Sequence, residues 1–401
     1  MSFYVNGCDP KKTSYPTGIY FELKKSSPFR NFDAVQSLVI QCAMPDENGT
    51  ANEEIRYPQS QKVRKWTAHA GRNRFLLNGN VILSRKNNVF VLTIFLMSTT
   101  LTLFFIFEGP YYWKICPAIP IAAAILALFA TSNFFATAFA DPGILPRAEN
   151  LEVIELDRQH VESVSAEFAD EEGTSERTSR VAVRTKDVSI NGQPIRLKYC
   201  YTCRLFRPPR SSHCSVCDNC VLIFDHHCPW VGNCVGQRNY RYFYLFVCSL
   251  TLLVISLFTA SLTHICLLSK QMTFVDAIKH TPVSLVITTV CFFSIWSLMG
   301  LSGFHSYLLA SSLTTNEDMK GTFRNKNRPQ TPNAPVVRNP YTFGILSNCS
   351  NRLCSSQTPS VLDPTGEVIL APYVMRPKAV AHVTDETERI SRYDHRITVN
   401  N

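Results

Sequence analysis

Four long stretches of the chain carry no charge, while the segments between them are strongly polar. Val89 to Phe107, Pro117 to Ala140, Phe243 to Ser269 and Pro282 to Ala310 hold 19, 24, 27 and 29 residues without one Asp, Glu, Lys or Arg. About 20 apolar residues, at 1.5 Å of rise each, cross a ~30 Å hydrocarbon core, so each stretch predicts a transmembrane helix. The expected fold class is a polytopic α-helical membrane protein with four spans, and a fully soluble chain is excluded. Gly109 and Pro110 mark a tight turn, so spans 89–107 and 117–140 form a hairpin over 89–140. Spans 243–269 and 282–310 fall within a second membrane segment, 242–310.

The polar segments divide into an N-terminal arm (1–88), a linker (141–198), a compact Cys/His window (199–241) and a C-terminal tail (311–401). The arm mixes Pro, Asn, Ser and Lys without sustained periodicity, and its hydrophilic opening reads as lacking a cleavable signal, so the first span directs insertion. Asp141-Pro142-Gly143 is a turn signal where the second span ends. From Glu149 to Glu176 ten acidic residues face one basic residue, Arg158, the composition of a flexible acidic linker.

Net charge is +9, and its placement sets the expected topology. Lys62, Arg64, Lys65, Arg72, Arg74, Arg85 and Lys86 precede the first span, whereas the connector after it holds only Lys114. The positive-inside rule then places both termini and the Cys/His window in the cytoplasm. Asn48-Gly49-Thr50 and Asn348-Cys349-Ser350 resemble glycosylation acceptors and are expected to stay unmodified on that side. The basic balance suits a lipid bilayer, and nucleic acid is not expected as a partner.

Of 15 cysteines, seven (Cys200, Cys203, Cys214, Cys217, Cys220, Cys228 and Cys234) share one window with His213, His226 and His227. Mixed Cys and His at short spacing point to metal rather than to disulfides. Ten candidate ligands exceed by two the eight that a pair of closed tetrahedral zinc sites needs. Spacing alone does not say which two are spare. A free thiol beside a free imidazole makes an activated nucleophile, and Asp225-His226-His227-Cys228 holds the parts within four residues, Asp225 being placed to orient the ring of His226.

Asp225-His226-His227-Cys228-Pro229-Trp230-Val231, Asn233-Cys234-Val235-Gly236 and Asn239 resemble the signature of the DHHC protein S-acyltransferases, or palmitoyltransferases. Asp141-Pro142-Gly143 and Thr314-Thr315-Asn316-Glu317 resemble two further motifs of that family, and the likeness covers about residues 71 to 370. Gly71-Arg72-Asn73-Arg74, Asp318 and the segment Asn339-Pro340-Tyr341, Gly344 and Asn348 resemble most the branch containing Ras palmitoyltransferases. Members of that branch often carry adjacent cysteines in the tail, whereas Cys349 here is followed by Ser350.

The resemblance implies a protein-cysteine S-acyltransferase with ping-pong chemistry, in which Cys228 is the nucleophile, His226 the base and Asp225 its orienter. It implies two structural zinc ions, one on Cys200, Cys203, His213 and Cys220, the other on Cys214, Cys217, His227 and Cys234. Long-chain acyl-CoA, such as palmitoyl-CoA, is the implied co-substrate, and the acyl chain is expected in a cavity among the spans beneath Cys228. Asp141, Pro142, Gly143, Thr314, Thr315, Glu317 and Asn348 are implied structural supports. Implied partners are cytoplasmic-face proteins with accessible cysteines, Ras-like GTPases among them, and an accessory subunit; the implied location is the Golgi or endoplasmic reticulum. Arg204, Arg207, Arg210, Arg238 and Arg241 suit CoA phosphates or anionic lipid equally. His264 and His305, near span ends, read as packed or interfacial. Two other classes remain open on residues alone: a membrane-tethered binding finger, which has no use for a spare Cys/His pair, and a channel or transporter, the latter commonly carrying ionisable groups within its spans, where only the two histidines near the ends qualify.

Overall fold

The computed structural model describes residues 61–148, 184–323 and 339–370, with positions 20–21, 40–41, 155 and 158. Most of the N-terminal arm with Asn48, the body of the acidic linker and the end of the tail lie outside the described residues. The chain forms two compact units, and all that follows concerns the one spanning 64–366.

Among the described residues, four helices are long and apolar enough to cross a membrane: α1 (Asn88–Ile115), α2 (Ala118–Phe139), α3 (Tyr240–Leu268) and, after the short α4 (Phe274–His280), α5 (Pro282–Ala310). They form because a helix satisfies its backbone polar groups internally where no water is available. Central helix α3 packs against both α2 and α5. Phe95, Leu128, Phe293 and Trp296 stay exposed on the outer faces, as lipid-facing side chains do.

The first helix runs past Phe107, so the hairpin turn contracts to Cys116 and Pro117. A π-helical turn at Phe104–Glu108 lets the backbone continue and turns Glu108 fully inward. Glu108 Oε2 lies 2.8 Å from Nδ1 of His264, on whose ring Tyr111 stacks at 3.6 Å. His264 is thus the partner of a buried carboxylate rather than an interfacial ring.

Two segments read as irregular contain strands. β1 (Asn73–Leu76) and β2 (Val81–Ser84) make a hairpin just before α1. β3 (Thr185–Ile190) and β4 (Gln193–Cys200) make another from what was read as the end of the linker, and β5 (Leu205–Phe206) extends it. Its turn is Asn191-Gly192, with φ of 49° and 75°, the left-handed pair that a two-residue hairpin favours.

Candidate active site and metal centres

Between α2 and α3 two short hairpins carry most of the Cys and His residues. In the first, β6 (Ser212–Cys214) pairs with β7 (Asn219–Val221), setting His213 opposite Cys220. In the second, β8 (His226–Cys228) pairs with β9 (Asn233–Val235), setting His227 opposite Cys234. Side chains alternate faces along a strand, so His226 and Cys228 share one face of β8 while His227 points to the other. That alternation divides the three chemical residues between two tasks.

On the ligand side the structure brings together Cys200, Cys203, His213 and Cys220, and separately Cys214, Cys217, His227 and Cys234. Sulfurs of Cys203, Cys200 and Cys220 lie 3.5, 3.6 and 3.8 Å from Nδ1 of His213. Those of Cys217 and Cys234 lie 3.5 Å from Nδ1 of His227 and 3.5 Å from each other. A tetrahedron with metal–sulfur bonds of ~2.3 Å and metal–nitrogen bonds of ~2.0 Å has edges of about 3.5 to 3.8 Å, so both sets fit a metal ion. Nε2 of His213 faces the Asp218 carboxylate at 3.5 Å, the orientation that turns Nδ1 toward the sulfurs.

On the other face, His226 Nδ1 donates to Asp225 Oδ2 at 2.7 Å, and the Cys228 side chain lies beside the ring. Desolvation works against the imidazolium, but Asp225 and Cys228 together outweigh it and push the His226 pKa up to about 9. Asp225 is buried, which by itself raises a carboxyl pKa; hydrogen bonds from His226 and Thr315 outweigh this and hold it below the usual range.

The segment after α5 reaches back to this pair. The Thr315 hydroxyl donates to Asp225 Oδ2 at 2.6 Å and its amide to Oδ1 at 3.0 Å. Thr314 caps α6 (Thr315–Met319): its hydroxyl accepts from the Glu317 amide, and its amide donates to Glu317 Oε2 at 2.9 Å. Glu317 also receives both arms of Arg210, at 2.8 and 2.7 Å, while Tyr341 lies under that guanidinium at 4.5 Å. Asn348, on α7 (Ile345–Leu353), donates to the Ala310 carbonyl at the end of α5.

Asp141 does more than turn the chain. Its Oδ1 accepts from the amides of Gly143 and Ile144, both at 2.9 Å, and its Oδ2 from Ser360 at 2.6 Å and Arg238 at 3.2 Å. Gly143, at φ +104°, is in a conformation that other residues rarely adopt, and it lets the Gly143 carbonyl accept from Leu222 of the module. Arg210 and Arg238, which by sequence suit CoA phosphates or anionic lipid equally, are engaged by Glu317 and Asp141.

Three further side chains, without an assigned role in the sequence pattern, support the site. Asn233 donates to the carbonyls of Ile82, Ala138 and Ala140, tying the module to β2 and to the end of α2. Asn239 donates to Thr137 and Cys234. His305 is buried beside the pair: one atom each of Asp225, His226 and His305 lie within 4.8 Å of one another. The two asparagines stood in the quoted signature without a role, whereas for His305 only its place in an uncharged span was a signal.

Below Cys228 lies a cavity of about 360 Å³ bounded by α1, α3 and α5. Its walls are apolar apart from a few Ser and Thr residues, and they run from Cys228 and Trp230 down to Leu257 and Cys291. Phe243 and Leu257, both lining it, stand about 21 Å apart along α3 at 1.5 Å per residue.

Fold and site together define an integral membrane protein whose Cys/His module sets an Asp–His–Cys group over an apolar cavity among its spans. The family model for DHHC palmitoyltransferase matches residues 193–322. Palmitoyltransferase ZDHHC14 of Homo sapiens is 49% identical over 307 residues, covering 76% of this chain and 60% of that protein. Palmitoyltransferase ZDHHC18 of Mus musculus is 50% identical over 307 residues, covering 76% and 77%. Palmitoyltransferase ZDHHC9 of Homo sapiens is 46% identical over 317 residues, covering 79% and 83%. The chain belongs to the DHHC palmitoyltransferase family.

Proposed function

We propose that the protein is an S-acyltransferase that moves a long-chain acyl group from acyl-CoA to cysteine thiols of membrane-associated proteins through a thioester on Cys228. The observation that carries this reading is the position of Cys228: it lines an apolar cavity and lies beside an imidazole held by a buried carboxylate. His226 uses Nδ1 toward Asp225, which leaves Nε2 to take the Cys228 proton. The thiolate attacks the thioester carbonyl carbon, the bond from that carbon to the CoA sulfur breaks, and CoA leaves with the proton from His226. In the second half a substrate cysteine gives its proton to His226 and attacks the acyl carbonyl, and Cys228 leaves and recovers the proton. Each half exchanges one thioester for another, so the protein's task is positioning and thiolate activation.

The apolar cavity supports a long chain. At about 0.8 kcal/mol per CH₂, keeping a sixteen-carbon chain out of water is worth on the order of 10 kcal/mol. The two Cys/His clusters would hold zinc, whose contribution is structural: it closes a module too small to fold on apolar burial alone. Basic residues before the first span favour a cytoplasmic module and termini, and Golgi or endoplasmic reticulum membranes follow from the family likeness. Ras-like GTPases as substrates, and an accessory subunit, follow from the resemblance of the tail segment around Asn339 to Asn348.

Intact-mass analysis of the detergent-purified protein after incubation with palmitoyl-CoA tests the reading. The expected result is one palmitoyl adduct, released by hydroxylamine and absent from Cys228→Ser. A metal-replete, folded protein that takes up no acyl group, alone or with a partner protein, sinks it.

A further inference from the structure

The transfer chemistry above leaves a second imidazole unused. His305, on α5, is 1% exposed, a depth at which a polar ring needs a partner. Its Nδ1 lies 3.2 Å from the hydroxyl of Tyr240, the first residue of α3. Phe243, Phe304 and Tyr240 enclose the ring at centroid distances of 4.9, 5.6 and 5.9 Å. On the remaining side it meets His226, with ring centroids 5.8 Å apart and planes tilted by 40°.

A ring held only by its hydrogen bond to Asp225 can still swing about that bond, carrying Nε2 away from Cys228. Two neighbours limit the swing of His226. One is the edge of Phe243, at 5.2 Å; the other is His305. Of these two walls, His305 alone is held by a hydrogen bond. Its anchor is firm: Tyr240 is 1% exposed, and the Arg352 guanidinium covers its ring at 4.4 Å without taking its hydroxyl.

We propose that His305, oriented by Tyr240, is a positioning residue that fixes the plane of the His226 ring so that its free nitrogen stays directed at Cys228. The inference rests on the acyl-transfer reading of Cys228 and His226. An apolar residue of similar size fills the same space but strands the Tyr240 hydroxyl without a partner, and the wall shifts to relieve it. A purely space-filling role makes the opposite demand, since volume then matters and the hydrogen bond does not.

The test is single-turnover acylation of the full chain at varied palmitoyl-CoA, with bound metal measured on every variant. Tyr240→Phe removes one hydroxyl and no packing volume. Its saturating rate is expected to fall about tenfold, and that of His305→Leu up to about a hundredfold, as misplacement of a reacting group does. The half-saturating concentration and the metal content should not change. His305→Asn, whose amide takes the place of Nδ1, should recover most of the rate. In a His226→Ala background neither Tyr240→Phe nor His305→Leu should lower the residual rate further.

Wild-type rates in both Tyr240→Phe and His305→Leu overturn the proposal. So do equal losses with and without His226, or a loss confined to the half-saturating concentration. If His305→Leu loses its metal, Tyr240→Phe decides alone. A wild type that is not acylated at Cys228 defeats the transfer reading and this inference together, whereas acylation at Cys228 with indifferent variants defeats only the inference.

Discussion

Thr315 and Asp225 meet through two hydrogen bonds across 90 positions of sequence, the hydroxyl at 2.6 Å and the amide at 3.0 Å. Both are made to a carboxylate that also accepts from His226, so the segment after the last span holds the group that orients the imidazole. A hydrogen bond to a charged acceptor is worth about 1.5–3 kcal/mol. Thr315→Val keeps the shape and the amide bond and removes the hydroxyl. Its rate of Cys228 acylation, measured by single-turnover gel or mass assay, is expected to fall by roughly ten- to a hundredfold. A wild-type rate would show that Asp225 is held without it.

Arg210 and Glu317 predict an effect on stability. Both are nearly buried, with side chains 11% and 6% exposed, and they meet in a two-pronged pair at 2.7 and 2.8 Å. Removing one partner of such a pair leaves an uncompensated charge and costs about 3–5 kcal/mol. Glu317→Gln should therefore lower the melting temperature by several degrees and make the segment around Thr315 more sensitive to protease. The Arg210→Met, Glu317→Leu double variant should recover part of the lost stability while staying slow in acylation. Additive losses of stability in the double variant would contradict the pairing.

Metal removal predicts a sharper outcome. The two Cys/His sets draw their residues from β4, β6, β7, β8 and β9 and the turns between them. Chelation of the purified protein should release two metal ions per chain and abolish acylation, with protease cutting appearing between residues 200 and 240. Cys228→Ser, outside both ligand sets, should retain two ions, and His227→Ala should retain one. Equal metal loss from Cys228→Ser would place that sulfur among the ligands.

The parts of this arrangement legible from sequence are those with a local signal. Charge-free runs announce the spans because lipid tolerates little else, and the Cys/His spacing from Cys200 to Cys234 points to metal. The Asn191-Gly192 turn carried a signal too, flanked by Val188 and Ile190 on one side and Ile195 and Leu197 on the other, but it lay beside an acidic run that dominated the reading. What stayed hidden depends on pairing across the chain. Nothing near Arg210 indicates a carboxylate 107 residues on, and nothing near His305 indicates that α5 returns to the level of Tyr240 and His226. An uncharged span masks a histidine, because hydropathy counts its neighbours and not the ring it will meet.

Glu108 has a consequence of a different kind, concerning the order in which the protein is built. Its carboxylate is fully buried, and its partner His264 lies 156 residues later in the chain. A ribosome adding roughly 5–20 residues per second takes many seconds to cover that interval. During that time α1 exists with a carboxyl group near its end and no imidazole to meet it. The contact between Glu108 and His264 therefore cannot form when the first hairpin is made; it waits until α3 arrives. Closure of this contact thus becomes a late event in biogenesis, dependent on a segment synthesised after the entire Cys/His module.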